Sequence, residues 1–131
     1  MPEHAILAEH RQLDALFAET RAALEPGDGD DARRALEGLT AALAVHFEQE
    51  DALYYPVVAS LRPDHAERVR DFASAHARFL AELEDVGRHT RAGPRALARD
   101  AFESLARAFA THEAAEEELL RSVEVGVHPA R

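Results

Sequence analysis

The chain has 131 residues, is 47% hydrophobic and carries 15 basic against 25 acidic residues, for a formal charge of -10. That length suits one globular domain with a sizeable core, and that charge repels nucleic-acid phosphates and anionic lipid alike. With no cysteine in the chain, disulfides, thiolate catalysis and sulfur-ligated metal centres are excluded, so any metal site must be built from His, Asp, Glu or Tyr. No apolar run approaches the ~20 residues of a membrane span and no basic-then-apolar signal opens the chain, so a soluble, cytoplasmic protein without nucleic-acid or membrane partners is expected.

Helix signals dominate, and breakers fall at Glu25-Pro26-Gly27-Asp28-Gly29-Asp30, at Ser60-Leu61-Arg62-Pro63 and at Ala92-Gly93-Pro94. They divide the chain into segments predicted to be helical over 3–24, 31–59, 63–90 and 94–123, with Val125 to Arg131 as a tail. Pro63 and Pro94 stand where a first helical turn tolerates proline, and Asp30 or Asp31 can cap the second helix. Each segment carries an apolar stripe at spacings of three and four, which keeps one face toward a core. The first runs Ile6, His10, Leu13, Phe17, Leu24. The second runs Leu36, Leu39, Leu43, His46, Glu50, Leu53, Val57, and the third Val69, Phe72, His76, Phe79, Leu83, Val86. The fourth runs Phe102, Leu105, Phe109, His112, Glu116, Leu119, Val123. Every polar interruption of a stripe is a His or a Glu.

Four helices of similar length joined by short loops favour an all-α, antiparallel up-and-down four-helix bundle. The four stripe histidines lie within about one turn of their helix midpoints, so they share a layer of such a bundle. A shift of 66 residues aligns "DARRALEGLTAALAVHFEQEDAL" with "LARDAFESLARAFATHEAAEEEL", identical at 10 of 23 positions, and pairs His46 with His112, Glu50 with Glu116 and His10 with His76. The chain reads as two helical hairpins, each bringing a His and a His-x-x-x-Glu to one interior point.

A single histidine on an apolar face is most often a satisfied core or boundary residue. Six buried imidazoles and carboxylates at one height are hard to sustain without cations, because an unpaired buried charge costs several kcal/mol even after relaxation. Six such ligands without sulfur exceed one tetrahedral zinc and suit two iron or manganese ions bridged by carboxylates. His4, His65, His89 and His128 are expected in solvent. Within Glu116-Glu117-Glu118 only one phase can look inward; Glu116 fits the i, i+4 register, with Glu117 as the alternative.

The order His10, then His46-x-x-x-Glu50, then His76, then His112-x-x-x-Glu116, with "HFEQEDALYYP" closing on a proline, resembles the hemerythrin-like family, the HHE cation-binding domains. The resemblance covers essentially the whole chain. It implies a four-helix bundle holding two non-haem iron ions, oxo- or hydroxo-bridged, with His10, His46, His76 and His112 as terminal ligands and Glu50 and Glu116 bridging. It further implies dioxygen, peroxide or nitric oxide as the small ligand, for sensing, storage or scavenging. The chain departs from the oxygen carriers of the family in having Phe72 where they have a further histidine. Their second bridging carboxylate would fall on Glu117 here. A diiron peroxidase or catalase-like enzyme is the second reading, and a zinc-binding or metal-free helical interaction module the third. Tyr54, one turn beyond Glu50 on the expected inward side, could fill the vacated coordination position or simply pack, while Tyr55 is expected to face away.

Overall fold

In the computed structural model, residues 2–25 and 29–127 are described, with side chains over 5–25 and 29–123. The expected breaker at 26–28, the side chain of His4, and His128 with the rest of the tail lie outside these. The elements are α1 (Pro2–Ala23), α2 (Gly29–Gln49), a π-helical turn (Glu50–Tyr54), α3 (Tyr55–Leu61), a 3₁₀ turn (Pro63–His65), α4 (Ala66–Ala92) and α5 (Arg95–Val127). There is no strand among the described residues. The helices form an all-α bundle in which α1 packs on α2, α2 on α4, α4 on α5 and α5 back on α1.

The apolar stripes bury as their spacing requires on α1, α4 and α5, where Ile6, Leu13, Phe17, Phe79, Leu83, Phe102, Leu105, Phe109 and Leu119 all leave solvent. The core is divided. One cluster, centred on Leu39, Leu43, Phe79, Phe102 and Phe109, fills the end that holds the α1–α2 and α4–α5 connections. A second, with Ile6, Tyr55, Val58, Val69, Leu119 and Val123, fills the opposite end. The polar layer described below lies between them.

The second helix does not run unbroken as its stripe implies. After Glu50 the backbone opens into a π turn, closed by a bond from the Tyr55 N–H to the Glu50 carbonyl, five residues back. Pro56 supplies the reason: it has no N–H to give Ala52, and its ring would collide with that carbonyl in an unbroken α-helix. Inserting one residue into the turn relieves the clash and advances the phase of everything after it. Leu53, expected in the core, is therefore 56% exposed, and Tyr55 and Val58 are buried instead.

Other departures are smaller. α5 continues to Val127, past the end predicted at 123. His65, expected in solvent, is half-buried and ties the 3₁₀ turn to α5 through Ser122 Oγ at 3.1 Å from its Nε2. Gly38 lies on the outer face of α2 with nothing within 4 Å of the position a Cβ would take. Gly38→Ala should therefore stabilise the fold by roughly 0.5–1 kcal/mol through helix propensity alone. Urea unfolding measures this as a higher midpoint at unchanged slope.

Candidate metal centre

Four helices each place a histidine in one layer. His10 comes from α1, His46 from α2, His76 from α4 and His112 from α5, and the structure buries all four. Glu50 starts the π turn one helical turn beyond His46, and Glu116 sits one turn beyond His112, so both carboxylates project into the same layer at 0% and 1% exposure. Two groups of potential ligand atoms result, each with its members within 4.8 Å of one another: His10, His46, Glu50 and Glu116, and then Glu50, His76 and His112. Glu50 belongs to both.

The two hairpins are related by an approximate two-fold at the atomic level. His10 Nε2 lies 2.9 Å from Glu116 Oε1, and its repeat partner His76 Nε2 lies 3.0 Å from Glu50 Oε1. His46 Nε2 is 3.0 Å from Glu50 Oε2, and His112 Nε2 is 4.0 Å from Glu116 Oε2. The outer ring nitrogens follow the same relation. His10 Nδ1 meets Glu117 Oε2 at 2.6 Å, and His76 Nδ1 faces Asp51 Oδ1 at 3.2 Å. His46 Nδ1 meets Glu9 Oε1 at 2.6 Å. The position that would serve His112 in the same way is Ala75, so the symmetry ends there.

Glu116 is thus the inner carboxylate and Glu117 the outer one, orienting the His10 ring. Glu9, Asp51 and Glu117 were not drawn to the site by periodicity, because each is the chain neighbour of an inward residue and so lies about 100° around its helix. On a seam between two helices that angle still reaches the adjoining ring. The repeat carried a signal for two of them, since the 66-residue shift pairs Asp51 with Glu117.

The tyrosines exchange the places expected of them. Tyr54, expected inward, donates its hydroxyl to Glu9 Oε2 at 3.1 Å at the margin of the layer. Tyr55, expected to face away, is buried, with its hydroxyl hydrogen-bonded to Glu116 Oε2, donating to Glu50 Oε1 at 3.1 Å and lying 3.1 Å from His76 Nε2. The π turn is the cause, since it adds the one residue by which the phase moves. Phe72 packs edge-on against His112 with ring centroids 5.3 Å apart, and against Tyr55 at 6.3 Å. Phe47 stacks under His76 at 4.0 Å.

The electrostatics are those of charges crowded out of water. Burial opposes ionisation of Glu50, yet His46 and His76 hold its carboxyl well below the usual range. Burial and the neighbouring Glu50 together push Glu116 up to about 7, against the pull of His10 and Tyr55. Burial alone would lower His46, but Glu50 and Glu9 raise it to about 9. His10 is likewise raised against burial by Glu116 and Glu117. His112 is pushed down to about 4 by burial and by the other three histidines, against the pull of Glu50. Burial and the two carboxylates drive the Tyr55 phenol far above its ordinary range, so it holds its proton. Glu113, buried beside Asp14 and Glu117, is raised to about 9 by burial and those acids.

Buried polar atoms test whether these residues suit cations. Glu50 Oε2 and His112 Nε2 have no hydrogen-bond partner although both are fully enclosed. Each orphan in a closed interior costs about 1–3 kcal/mol, and each is a lone-pair donor that a cation would satisfy. The donor set, imidazole and carboxylate without sulfur, matches iron or manganese. The centre can be approached from two sides. A cavity of about 320 Å³ between α1 and α2 includes Glu9 and His46, and one of about 530 Å³ between α2 and α4 includes Phe47 and His76. No described helix is long and apolar enough to cross a membrane.

The family model for the hemerythrin HHE cation binding domain matches residues 1–123. No curated protein and no solved structure matches the chain.

Proposed function

The chain belongs to the hemerythrin HHE cation-binding family, and from that premise we propose that its buried layer holds two non-haem iron ions and binds dioxygen, peroxide or nitric oxide. The observation that carries this reading is the pair of ligand groups sharing Glu50. His10, His46, His76 and His112 would serve as terminal ligands, Glu50 and Glu116 would lie between the ions, and the phenol of Tyr55, rather than Tyr54, would face the position left by Phe72. Bound there, the two ions would supply a redox-active centre with coordination positions open to a small oxidant.

The chain's own residues prepare that centre. Glu117 and Glu9 fix the rings of His10 and His46 from outside and select the tautomer that turns each Nε2 inward, while Asp51 stands 3.2 Å from His76 Nδ1 without bonding to it. Phe47, Phe72 and Phe79 wall the layer and exclude water. Tyr55 keeps a proton within reach of both inner carboxylates. That proton favours peroxide consumption as the second reading, because cleavage of an oxygen–oxygen bond needs a donor beside the departing oxygen.

Metal analysis of protein from iron-supplemented cells tests the proposal. About two irons per chain and near-ultraviolet charge-transfer absorption are expected; well under one iron per chain overturns it. Oxygen evolved from added peroxide, beyond that of free iron and of His46→Ala, separates the enzyme from the binding protein. The tyrosines are told apart by spectrum. Tyr55→Phe should shift the near-ultraviolet charge-transfer absorption, and Tyr54→Phe should leave it in place; the opposite result returns Tyr54 to the site.

A further inference from the structure

The two ligand groups that share Glu50 are unequal. The first has four residues, His10, His46, Glu50 and Glu116, all of them buried, and the second has three, Glu50, His76 and His112. Two carboxylates stand in the first, enough to neutralise a divalent cation; the second has only the shared one. The phenol of Tyr55, 3.1 Å from His76 Nε2, is hydrogen-bonded to Glu50 and Glu116 and could join the second group only by giving up those bonds.

The surroundings of the rings widen the difference. Both histidines of the first group hold a carboxylate on Nδ1, His10 that of Glu117 and His46 that of Glu9, each at 2.6 Å. Glu9 is itself steadied, since Tyr54 donates to its other oxygen at 3.1 Å. Neither histidine of the second group is held in this way. His76 Nδ1 has no hydrogen-bond partner, and the Asp51 carboxylate beside it is 49% exposed, against 25% for Glu9 and 26% for Glu117. For His112, the 66-residue repeat puts Ala75 where Glu9 serves His46. His112 Nε2 also stands 4.0 Å from Glu116 Oε2 and bonds to nothing. A carboxylate behind a ligating imidazole fixes the ring and makes it a stronger donor, and losing one such partner costs roughly 10–100-fold in metal affinity.

We infer that the layer is one tight cation site and one labile site rather than a matched pair: His10, His46, Glu50 and Glu116 retain a divalent ion, and Glu50, His76 and His112 take a second that exchanges with the medium. The inference rests on reading the layer as a two-cation centre, and it adds the regulation of that centre. Glu50 couples the two steps, because His46 addresses its Oε2 and His76 its Oε1, so the first ion orders the carboxylate that the second needs. The charge of the first ion opposes the second and widens the gap between them. At limiting supply the chain carries one ion, and the second joins only as the free cation rises. Chemistry that needs two ions side by side is then switched by metal supply.

Calorimetric titration of the chelated full-length protein with cobalt(II), the neighbour of iron(II) in the affinity series, tests the inference at fixed pH under argon. Two steps of one ion each are expected, with dissociation constants separated by roughly tenfold or more. Glu9→Gln and Glu117→Gln keep an acceptor for the ring N–H but remove the charge, and each should weaken the first step by about tenfold. Ala75→Glu gives His112 the carboxylate it lacks and should tighten the second step by about tenfold. His112→Ala should remove the second step and keep the first, with the circular dichroism of the bundle unchanged. Two ions taken up in a single step of equal affinity overturn the inference and leave the two-cation centre in place. So does a first step that survives His10→Ala but not His112→Ala, or one that neither Glu9→Gln nor Glu117→Gln weakens. Failure to bind any cobalt overturns the centre and the inference together.

Discussion

Chelating the metal from the loaded protein should lower its midpoint of thermal unfolding by roughly 10–20 °C. A ligand that binds only the folded chain at a thousandfold excess over its dissociation constant contributes about 4 kcal/mol, and a domain of this size moves by ~3–5 °C per kcal/mol. The difference should widen with pH, and the direction follows from His46. Its folded pKa of about 9 lies above the ordinary value of ~6.5. In the metal-free protein its contribution to stability is therefore fully present below ~6.5 and is lost as the pH rises through about 9. Glu116, raised to about 7 by burial and Glu50, acts in the same direction, because the folded state resists its ionisation between ~4.5 and about 7. A metal acts oppositely: it needs His46 deprotonated, so protons compete with it and its affinity grows over the same range. Melts of loaded and chelated protein at pH 6, 7 and 8.5 measure the effect. A bundle whose midpoint ignores metal removal at every pH has no cation in its layer.

Phe79→Ala should cost about 3–5 kcal/mol, the range for a large buried aromatic cut to a methyl. Phe79 is 1% exposed and lies at the join of the larger apolar cluster and the polar layer, with ring centroids 5.4 Å from Phe109, 6.2 Å from Phe47 and 5.2 Å from His112. The cavity left would sit directly beneath His112. Among the described residues that histidine has no carboxylate on its outer nitrogen of the kind that holds His10 and His46, so ring packing fixes it. The variant should therefore lose metal affinity as well as stability, whereas Leu24→Ala, equally buried at the far end of the bundle, should lose stability alone. A denaturant midpoint together with metal content per chain distinguishes the two.

The bundle was legible because its apolar residues repeat at helical spacing and its breakers are prolines and glycines, and both signals act locally. The six inward His and Glu residues were legible for the same reason: they interrupt the stripes at stripe positions. What escaped that reading depends on backbone phase or on neighbouring helices. Leu53 and Tyr54 were assigned to the interior by continuing a 3.6-residue period past Glu50, and the extra residue in the π turn sends Leu53 outward, leaves Tyr54 half-buried at the margin and brings Tyr55 in. Glu9 and Asp51 escaped because each completes a ring on another helix, and only the assembled seams bring them there.

The π turn carries one more consequence, for how such a centre can be altered. A point substitution at Tyr55 changes what one side chain offers, but replacing Pro56, which forces the turn, would allow the ordinary helical period with no residue lost and turn the whole of α3 by about 100°. Tyr54 would then inherit the inward station and Val57 would replace Val58 in the small apolar cluster. Adjacent tyrosines and adjacent valines at 54–55 and 57–58 mean that both phases present nearly the same chemistry to the interior. The single proline after them, rather than the chemistry of the two faces, is what selects between them here.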